Sequence, residues 1–124
     1  MTTDAIGTIE WRDLTVNDAT AVRDFYQSVV GWTHSTISMG DYDDYAMVNA
    51  KGDTIAGICH AKGSNAKLPP QWLMYITVAD LDESLAQSKA LGGKIISGPN
   101  SMGSDRYCII ADPAGAAVAL YQKG

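Results

Sequence analysis

The apolar and polar positions of this chain describe the same order of elements twice. In the first half, residues 8–16 alternate as a strand does, and Asn17 and Asp18 supply a helix N-cap. A helical spacing follows, in which one face carries Val22, Phe25, Tyr26, Val29 and Val30. Gly31 provides the C-terminal stop of this helix. Three further strands are predicted near residues 32–38, 44–49 and 53–60.

The second half repeats this order. A strand is predicted from Trp72 to Val78, and Asp80 with Glu83 forms a capping-box pattern ahead of a helix. That helix is predicted from its spacing of Leu81, Leu85 and Leu91, with a stop at Gly92 and Gly93. Strands near residues 94–98, 105–111 and 116–122 complete the chain.

The predicted elements divide the chain into two modules, each with the order βαβββ. Module one covers about 7–61, and module two covers 72–122. Between them, residues 62–71 contain Pro69 and Pro70 and are interpreted as a linker.

The two halves also resemble each other in sequence. Leu14–Asp18 aligns with Ile76–Asp80, and Asp44–Val48 aligns at the same spacing with Arg106–Ile110. A repeat this short cannot bury a core alone, so the halves are expected to pair within a single domain, residues 1–124, and to leave a cleft. Any activity is predicted to reside in that cleft.

Composition and charge narrow the possible partners. The chain has 14 acidic and 9 basic residues and a net charge of -5, which argues against nucleic-acid binding. Its apolar runs fall short of the roughly 20 residues that span a bilayer, so no membrane partner is expected. The first residues lack a signal-peptide pattern, and the expected location is cytoplasmic. Cys59 and Cys108 are expected to be free buried thiols rather than a disulfide.

Several short motifs, taken in order, resemble one known family. The strand-to-helix junctions Val16–Asp18 and Val78–Asp80, the helix end with Phe25–Tyr26 and Val29–Trp32, and the turn Asp112–Gly115 carry the likeness. On these residues nearly the whole chain resembles the vicinal oxygen chelate superfamily, which includes glyoxalase I, extradiol dioxygenases and bleomycin-resistance proteins. The resemblance implies an α+β fold, in which two tandem βαβββ modules form a half-open barrel around a central cavity. It does not select a reaction, because this superfamily hosts several.

The resemblance also implies where metal-dependent members hold their ion, on the first and last strands of each module. In this chain those positions fall on Trp11, Gly57, Leu73 and Ala119. None of these side chains can donate an electron pair to a hard cation, so we expect no metal ion and no other cofactor.

Other potential metal ligands are interpreted as structural or solvated residues. His34 is expected to be a solvated residue of an edge strand, and His60 is expected to face the helix side of its sheet. Asp41, Asp43 and Asp44 resemble a loose calcium-binding pattern without its length or terminal Glu, so a solvated hairpin tip is expected.

Strand alternation predicts which side chains line the cleft. If Leu14 and Val16 face the helix, the alternate residues face inward. Ligand contacts are predicted for Trp11, Asp13, Thr15, Gly57, Cys59, Leu73, Tyr75, Ala119 and Tyr121. The same parity turns Ile55, Thr77 and Ala117 inward. The facing of Tyr42, Tyr45 and Tyr107 stays open, and Trp72 is placed at the cleft mouth or in a dimer contact.

Two functional hypotheses follow. The first is a metal-free protein that sequesters or carries a small aromatic or cationic ligand, with Trp11 stacking on it and Asp13 as counter-charge. The alternative is a metal-independent isomerase or lyase, with Asp13 as general base and Tyr75 as acid or hydrogen-bond donor. Core filling by Trp11 and a structural hydrogen bond at Asp13 remain open, as does a protein-protein role with a filled cavity. A homodimer is expected, since two-fold assemblies are the commonest.

Overall fold

A computed structural model describes residues 5–124, except for the side chain of Ser64. The chain divides into two compact units. The first is Arg12–Trp72, and the second combines residues 5–11 with residues 73–124. The early residues belong with the second unit because they pair with its backbone. The Gly7 amide donates to the Thr77 carbonyl at 2.7 Å, and the Thr77 amide donates to the Thr8 carbonyl at 2.9 Å.

The first unit contains one helix and a four-stranded sheet. Its elements are β1 (Ile9–Val16, which begins in the other unit), α1 (Ala19–Val30), β2 (Thr33–Ser38), β3 (Asp43–Val48) and β4 (Thr54–His60). The strand order is β2-β3-β4-β1, and only β1 and β4 are parallel, with Asp13 opposite Gly57. A short 3-10 turn at Gly63–Asn65 follows β4.

Local signals fix both ends of α1 as the sequence predicts. The Asp18 carboxylate accepts a hydrogen bond from the Ala21 amide at 3.1 Å. Gly31 adopts a left-handed conformation with φ 87°, and its amide donates to the Gln27 carbonyl at 3.1 Å. Such a φ strains any residue with a Cβ, which explains why glycine ends this helix. The helix packs on a core built around Leu14, Met47 and Ile58.

The second unit repeats this architecture. Its elements are β5 (Trp72–Thr77), α2 (Leu81–Ala90), β6 (Lys94–Met102), β7 (Asp105–Ala111) and β8 (Ala117–Gln122). The strand order is β5-β8-β7-β6, with β5 and β8 parallel and Tyr75 opposite Ala119. The Asp80 carboxylate caps α2 by accepting from the Glu83 amide at 3.2 Å. Both units therefore have the predicted βαβββ order, and the α+β fold class is confirmed.

The number of residues that separates equivalent positions of the two units is not constant along the sheets. Gly57 and Ala119 occupy matching places in the parallel pairs. Across the next strand, Gly57 lies opposite Ala46, whereas Ala119 lies opposite Ile109. Ala46 therefore matches Ile109, one residue later than the sequence repeat suggests.

The predicted alignment of Asp44–Val48 with Arg106–Ile110 is thus wrong by one position, and Asp44 matches Tyr107. The pairing of β6 with β7 is irregular between Ile95 and Asn100, which accommodates additional residues before β7. β6 continues to Met102, beyond its predicted end near residue 98. Within residues 5–124, no helix is long and apolar enough to cross a bilayer.

Candidate functional site

Each sheet packs one face on its own helix, and we call the opposite side its far face. Beside α1, the core of the first sheet contains Leu14, Tyr45, Met47, Ala56 and Ile58. Because side chains alternate along a strand, their neighbours project from the far face. Those far-face residues are Asp13, Thr15, Asp44, Ala46, Gly57 and Cys59.

An acid–thiol cluster, formed by Asp13, Asp44 and Cys59, lies on the far face of the first sheet. Asp44 is 7% exposed, and its carboxylate accepts a hydrogen bond from the His60 amide at 2.8 Å. Burial raises the pKa of the Cys59 thiol, and the charges of Asp13 and Asp44 raise this pKa further. Asp44 also forms a hydrogen bond with that thiol. Cys59 is therefore held as a neutral thiol beside two carboxyl groups.

The placement of Asp44 corrects the expectation of a solvated hairpin tip. Asp41 and Asp43 are exposed as that expectation requires, but Asp44 is buried. The reason is its register: Asp44 is a far-face residue of β3, and its carboxylate satisfies the backbone amide at the end of β4. A buried carboxylate needs such a donor, since desolvation without one is costly.

Strand alternation puts neither histidine on the far face, although the His60 ring Nδ1 lies 3.5 Å from the Asp44 carboxylate at the end of β4. The His60 ring centroid is 6.2 Å from that of Tyr45, which belongs to the core beside α1. His34 is partly buried rather than solvated, because its ring forms a hydrogen bond with the Gln27 side chain and packs 5.4 Å from the Tyr45 ring. The expectation of a solvated His34 is wrong, since α1 covers this part of the edge strand.

A tyrosine cluster, formed by Tyr75, Tyr107 and Tyr121, lies on the far face of the second sheet. Tyr107 and Tyr121 are direct cross-strand partners, with ring centroids 6.5 Å apart and ring planes within 14°. The Tyr75 ring centroid lies 6.3 Å from each of the other two. Cys108 and Ile110, the alternate residues of β7, pack with α2 instead. The facing of Tyr107, left open by the sequence, is therefore fixed by its strand register.

Asp105 joins this cluster to the C-terminal residue. The Tyr121 hydroxyl donates to the Asp105 carboxylate at 2.5 Å, and the Gly124 amide donates to the same carboxylate at 2.7 Å. The hydrogen bond from the Gly124 amide lowers the pKa of Asp105 most, and the hydrogen bond from the Tyr121 hydroxyl lowers it further. Burial and the Asp105 hydrogen bond raise the pKa of Tyr121 to about 12.

These shifts predict a specific pH dependence. The Asp105 contribution to stability is present above the ordinary pKa of a carboxyl group, about 4, and is lost as the pH falls through the lowered value. The Tyr121 contribution is present below about pH 10 and is lost as the pH rises through the pKa of about 12.

In the Asp105→Asn variant, the pKa of Tyr121 should fall because the charged acceptor is gone. Spectrophotometric titration of tyrosine ionisation, with Tyr121→Phe to identify the component, measures this change. An unchanged Tyr121 titration would contradict the assignment.

The remaining predicted site residues occupy several environments. Trp11, Asp13 and Tyr75 are half-buried, and Thr15 and Gly57 are buried. Leu73 and Ala119 have no exposed surface. Ile55 packs against the core beside α1, which corrects its predicted inward facing. An irregular register between β3 and β4 at this point explains the departure from simple alternation.

Trp72 is also part of the core beside α1. Its indole N–H donates to the Tyr26 hydroxyl at 3.1 Å, and its ring centroid lies 6.0 Å from that of Trp32. The cleft mouth or dimer contact expected for Trp72 stays a prediction, because its ring is only partly buried in this core. Neighbouring prolines suggested an exposed loop, but the apolar ring is held by aromatic partners distant in sequence.

The donor set does not fit a divalent ion. Leu73 and Ala119 are buried apolar side chains, and Trp11 and Gly57 offer no ligand atom suited to a hard cation. Across residues 5–124, no three His, Cys, Asp or Glu side chains are grouped so as to hold an ion. The absence of a cofactor stays a prediction.

Comparisons with known proteins agree with the motifs. DnrV from Streptomyces peucetius, an anthracycline biosynthesis protein, is 30% identical over the whole chain and half of its own length. CFP32 from Mycobacterium tuberculosis (strain CDC 1551 / Oshkosh) is 34% identical, over 94% of this chain and 46% of its own. The chain thus spans about half the length of these curated relatives.

Solved structures show the same fold. A methylmalonyl-CoA epimerase from Streptomyces coelicolor aligns over 96% of this chain and 99% of its own, with a TM-score of 0.58 and 14% identity. Residues 6–120 match the family described as Glyoxalase/Bleomycin resistance protein/Dioxygenase superfamily. The resemblance seen in the sequence is confirmed, and the chain belongs to that superfamily.

Proposed function

We propose that this protein binds a planar aromatic or cationic small molecule without a metal ion, and sequesters or carries it. The tyrosine cluster is the observation that carries the proposal. The three rings gather on one sheet face, where Tyr75 and Tyr121 are partly exposed and the buried Tyr107 ring backs them. Small-molecule sites typically combine such aromatic surface with a few polar groups.

The acid–thiol cluster supports a preference for cations. Asp13 and Asp44 place carboxyl groups on the far face of the first sheet, and the whole chain has a net charge of -5. Trp11 and Asp13 keep their predicted roles in this proposal, as stacking surface and counter-charge. The predicted cleft stays a prediction.

The names of two relatives suggest a ligand class. DnrV and DauV, the latter from Streptomyces sp. (strain C5), are both named anthracycline biosynthesis proteins. Anthracyclines are planar fused-ring compounds, and those with an amino sugar are also cationic. Both properties match the aromatic and acidic residues described above, so we extend the proposal to ligands of this type.

Calorimetric titration with daunorubicin, a planar and cationic anthracycline, tests the proposal. Tyr75→Leu removes the ring and should weaken binding about 2- to 10-fold, the cost of one aromatic contact. Tyr75→Phe keeps the ring and should bind nearly as the unmodified protein does. Phe25→Leu, on α1 and outside both clusters, is the matched control and should leave affinity unchanged. Treatment of the protein with EDTA should also leave it unchanged.

Comparison with the uncharged aglycone separates stacking from charge. Asp13→Asn should weaken binding of daunorubicin but not of the aglycone, because only the former offers a cation. Absence of binding to either compound, or equal losses in Tyr75→Leu and Phe25→Leu, would contradict the proposal. Chemical conversion of the bound compound by the unmodified protein but not by Asp13→Asn, followed by mass spectrometry, would instead favour the alternative isomerase or lyase reaction through Asp13 and Tyr75.

A further inference from the structure

Lys62 places its ammonium group on an aromatic ring at one end of the first sheet. Its Nζ atom lies 4.4 Å from the centroid of the Tyr42 ring. The two residues meet because Tyr42 directly precedes β3 and Lys62 follows β4, the antiparallel neighbour of β3. A cation at this distance from a ring face is attracted by the π electrons of the ring. The Tyr42 ring therefore already holds a cation, supplied by the chain itself.

Carboxylates surround the hydroxyl end of the same ring. Partial burial raises the pKa of Tyr42, and the negative charges of Asp44 and Asp41 raise this pKa further. Asp44 belongs to the acid–thiol cluster, so the ring lies at the edge of that cluster. The His60 ring packs nearly perpendicular to the Tyr42 ring, with centroids 5.7 Å apart, and restrains its orientation. A restrained aromatic ring beside carboxylates favours an ammonium group.

The local fold does not require the Lys62 side chain to stay on the ring. Lys62 precedes the 3-10 turn at Gly63–Asn65, and its side chain makes no capping hydrogen bond there. Its backbone amide, which almost any residue could supply, donates to the His60 carbonyl at 2.9 Å. Lys62 is exposed and Tyr42 is only partly buried, so the side chain can leave the ring without opening the core. Because exposed cation–π contacts are weak, another cation can compete for the ring.

We propose that the Tyr42 ring is the subsite for the ammonium group of a bound ligand, and that Lys62 occupies this subsite until the ligand displaces it. The inference rests on the proposed function for its ligand class, organic ammonium compounds. Lys62 lowers the affinity for such a compound, because the ligand ammonium binds only to the fraction of molecules in which the ring is free. A compound without a positive charge does not compete for the ring, so its affinity does not depend on Lys62.

Tetramethylammonium chloride tests the subsite without the rest of a ligand. In the free protein, the ring current of Tyr42 should displace the NMR signals of the Lys62 side chain from those of a solvated lysine. Tetramethylammonium should move these signals toward the solvated values, whereas sodium chloride at equal ionic strength and tert-butanol, a neutral molecule of similar size, should not. Tyr42→Leu should show solvated values from the start. Lys62 signals that do not respond to tetramethylammonium would overturn the proposal.

Calorimetric titration with daunorubicin gives a second readout. Lys62→Ala should bind daunorubicin about 2- to 5-fold more tightly than the unmodified protein, because the internal competitor is gone. Lys67→Ala, at an exposed position of the same linker and with the same change in net charge, is the matched control and should leave affinity nearly unchanged. Lys62→Arg keeps a cation that stacks on aromatic rings and should gain no affinity. The uncharged aglycone should bind Lys62→Ala and the unmodified protein equally.

These outcomes separate the ammonium subsite from the proposed function. Daunorubicin binding that depends on Tyr75 but is equal in Lys62→Ala and Lys67→Ala would overturn the subsite and leave the proposed function standing. Displacement of Lys62 by tetramethylammonium, without any binding of daunorubicin, would support the subsite and contradict the proposed ligand. Thermal unfolding of each variant checks that it is folded.

Discussion

Replacing Trp72 with alanine is expected to lower the free energy of unfolding by about 3 kcal/mol, the lower range for losing a large aromatic side chain from a core. The indole ring packs at 77° to the Tyr26 ring, with centroids 5.4 Å apart, and at 83° to the Trp32 ring. It also adjoins the buried cluster beside α1. Its removal would leave a gap that these rings cannot fill without moving.

Conservative variants separate the ring from its hydrogen bond. Trp72→Phe keeps most of the packing but removes the N–H that donates to Tyr26, and should cost about 1 kcal/mol. Tyr26→Phe removes the acceptor. If the bond contributes, the double variant should cost less than the sum of the two single variants. Urea unfolding followed by circular dichroism measures the unmodified protein and all four variants, and a loss below about 1 kcal/mol for Trp72→Ala would place Trp72 outside the core.

The order of elements could be predicted because its signals are local. Asp18 and Asp80 cap helices that begin one residue later, and Gly31 ends α1 through its own backbone conformation. Each of these effects involves residues within one or two turns of each other. A single sequence contains all the information such interactions need.

The register between strands could not be read in the same way. The repeat suggested that Tyr45 and Tyr107 are equivalent, yet Tyr45 packs beside α1 and Tyr107 lies on the far face of its sheet. A shift of one residue moves every side chain of a strand to the other face. The shift lies between the irregular pairing of β6 with β7 and an irregular pairing of β3 with β4 that β7 and β8 do not repeat, and each pairing depends on two strands rather than on either alone.

In the candidate site, too, some residues could be predicted from local signals and others depended on the register between strands. Asp13, Cys59, Tyr75 and Tyr121 lie on strands whose parity followed from adjacent helix-facing residues. Tyr107 was not among the predicted site residues because its strand parity was ambiguous. A signal was present in the sequence: once Tyr121 faces away from α2, a correct antiparallel register places Tyr107 directly beside it.

Asp44 was missed for a related reason, and its predicted effect on stability is large. It stands among Asp41 and Asp43 in a run that looks solvated, but it is the structural match of Tyr107 on the far face. There its carboxylate accepts the His60 amide hydrogen bond and interacts with the Cys59 thiol. A polar group in this position is part of the folded core rather than of the surface.

Asp44→Ala should therefore lower the free energy of unfolding by about 2 kcal/mol, because it leaves the His60 amide without an acceptor. Asp41→Ala, three residues earlier and exposed, is the matched control and should change stability by no more than about 0.5 kcal/mol. Asp44→Asn retains an acceptor oxygen and should fall between them. Equal stabilities for Asp44→Ala and Asp41→Ala in urea would contradict the burial of Asp44.

The chemistry of Cys59 offers a readout that packing alone would not move. The charge of Asp44 is one of the causes that raise the pKa of Cys59, after burial and Asp13. Asp44→Asn preserves the size of the side chain but removes that charge, so the pKa of Cys59 should fall. A larger fraction of the thiol is then ionised, and Cys59 should react faster with a disulfide reagent. Cys59→Ser identifies any reaction of Cys108, which has no exposed surface. An unchanged rate in Asp44→Asn would show that Asp44 does not control the thiol, and that its role at this face is confined to the hydrogen bond with His60.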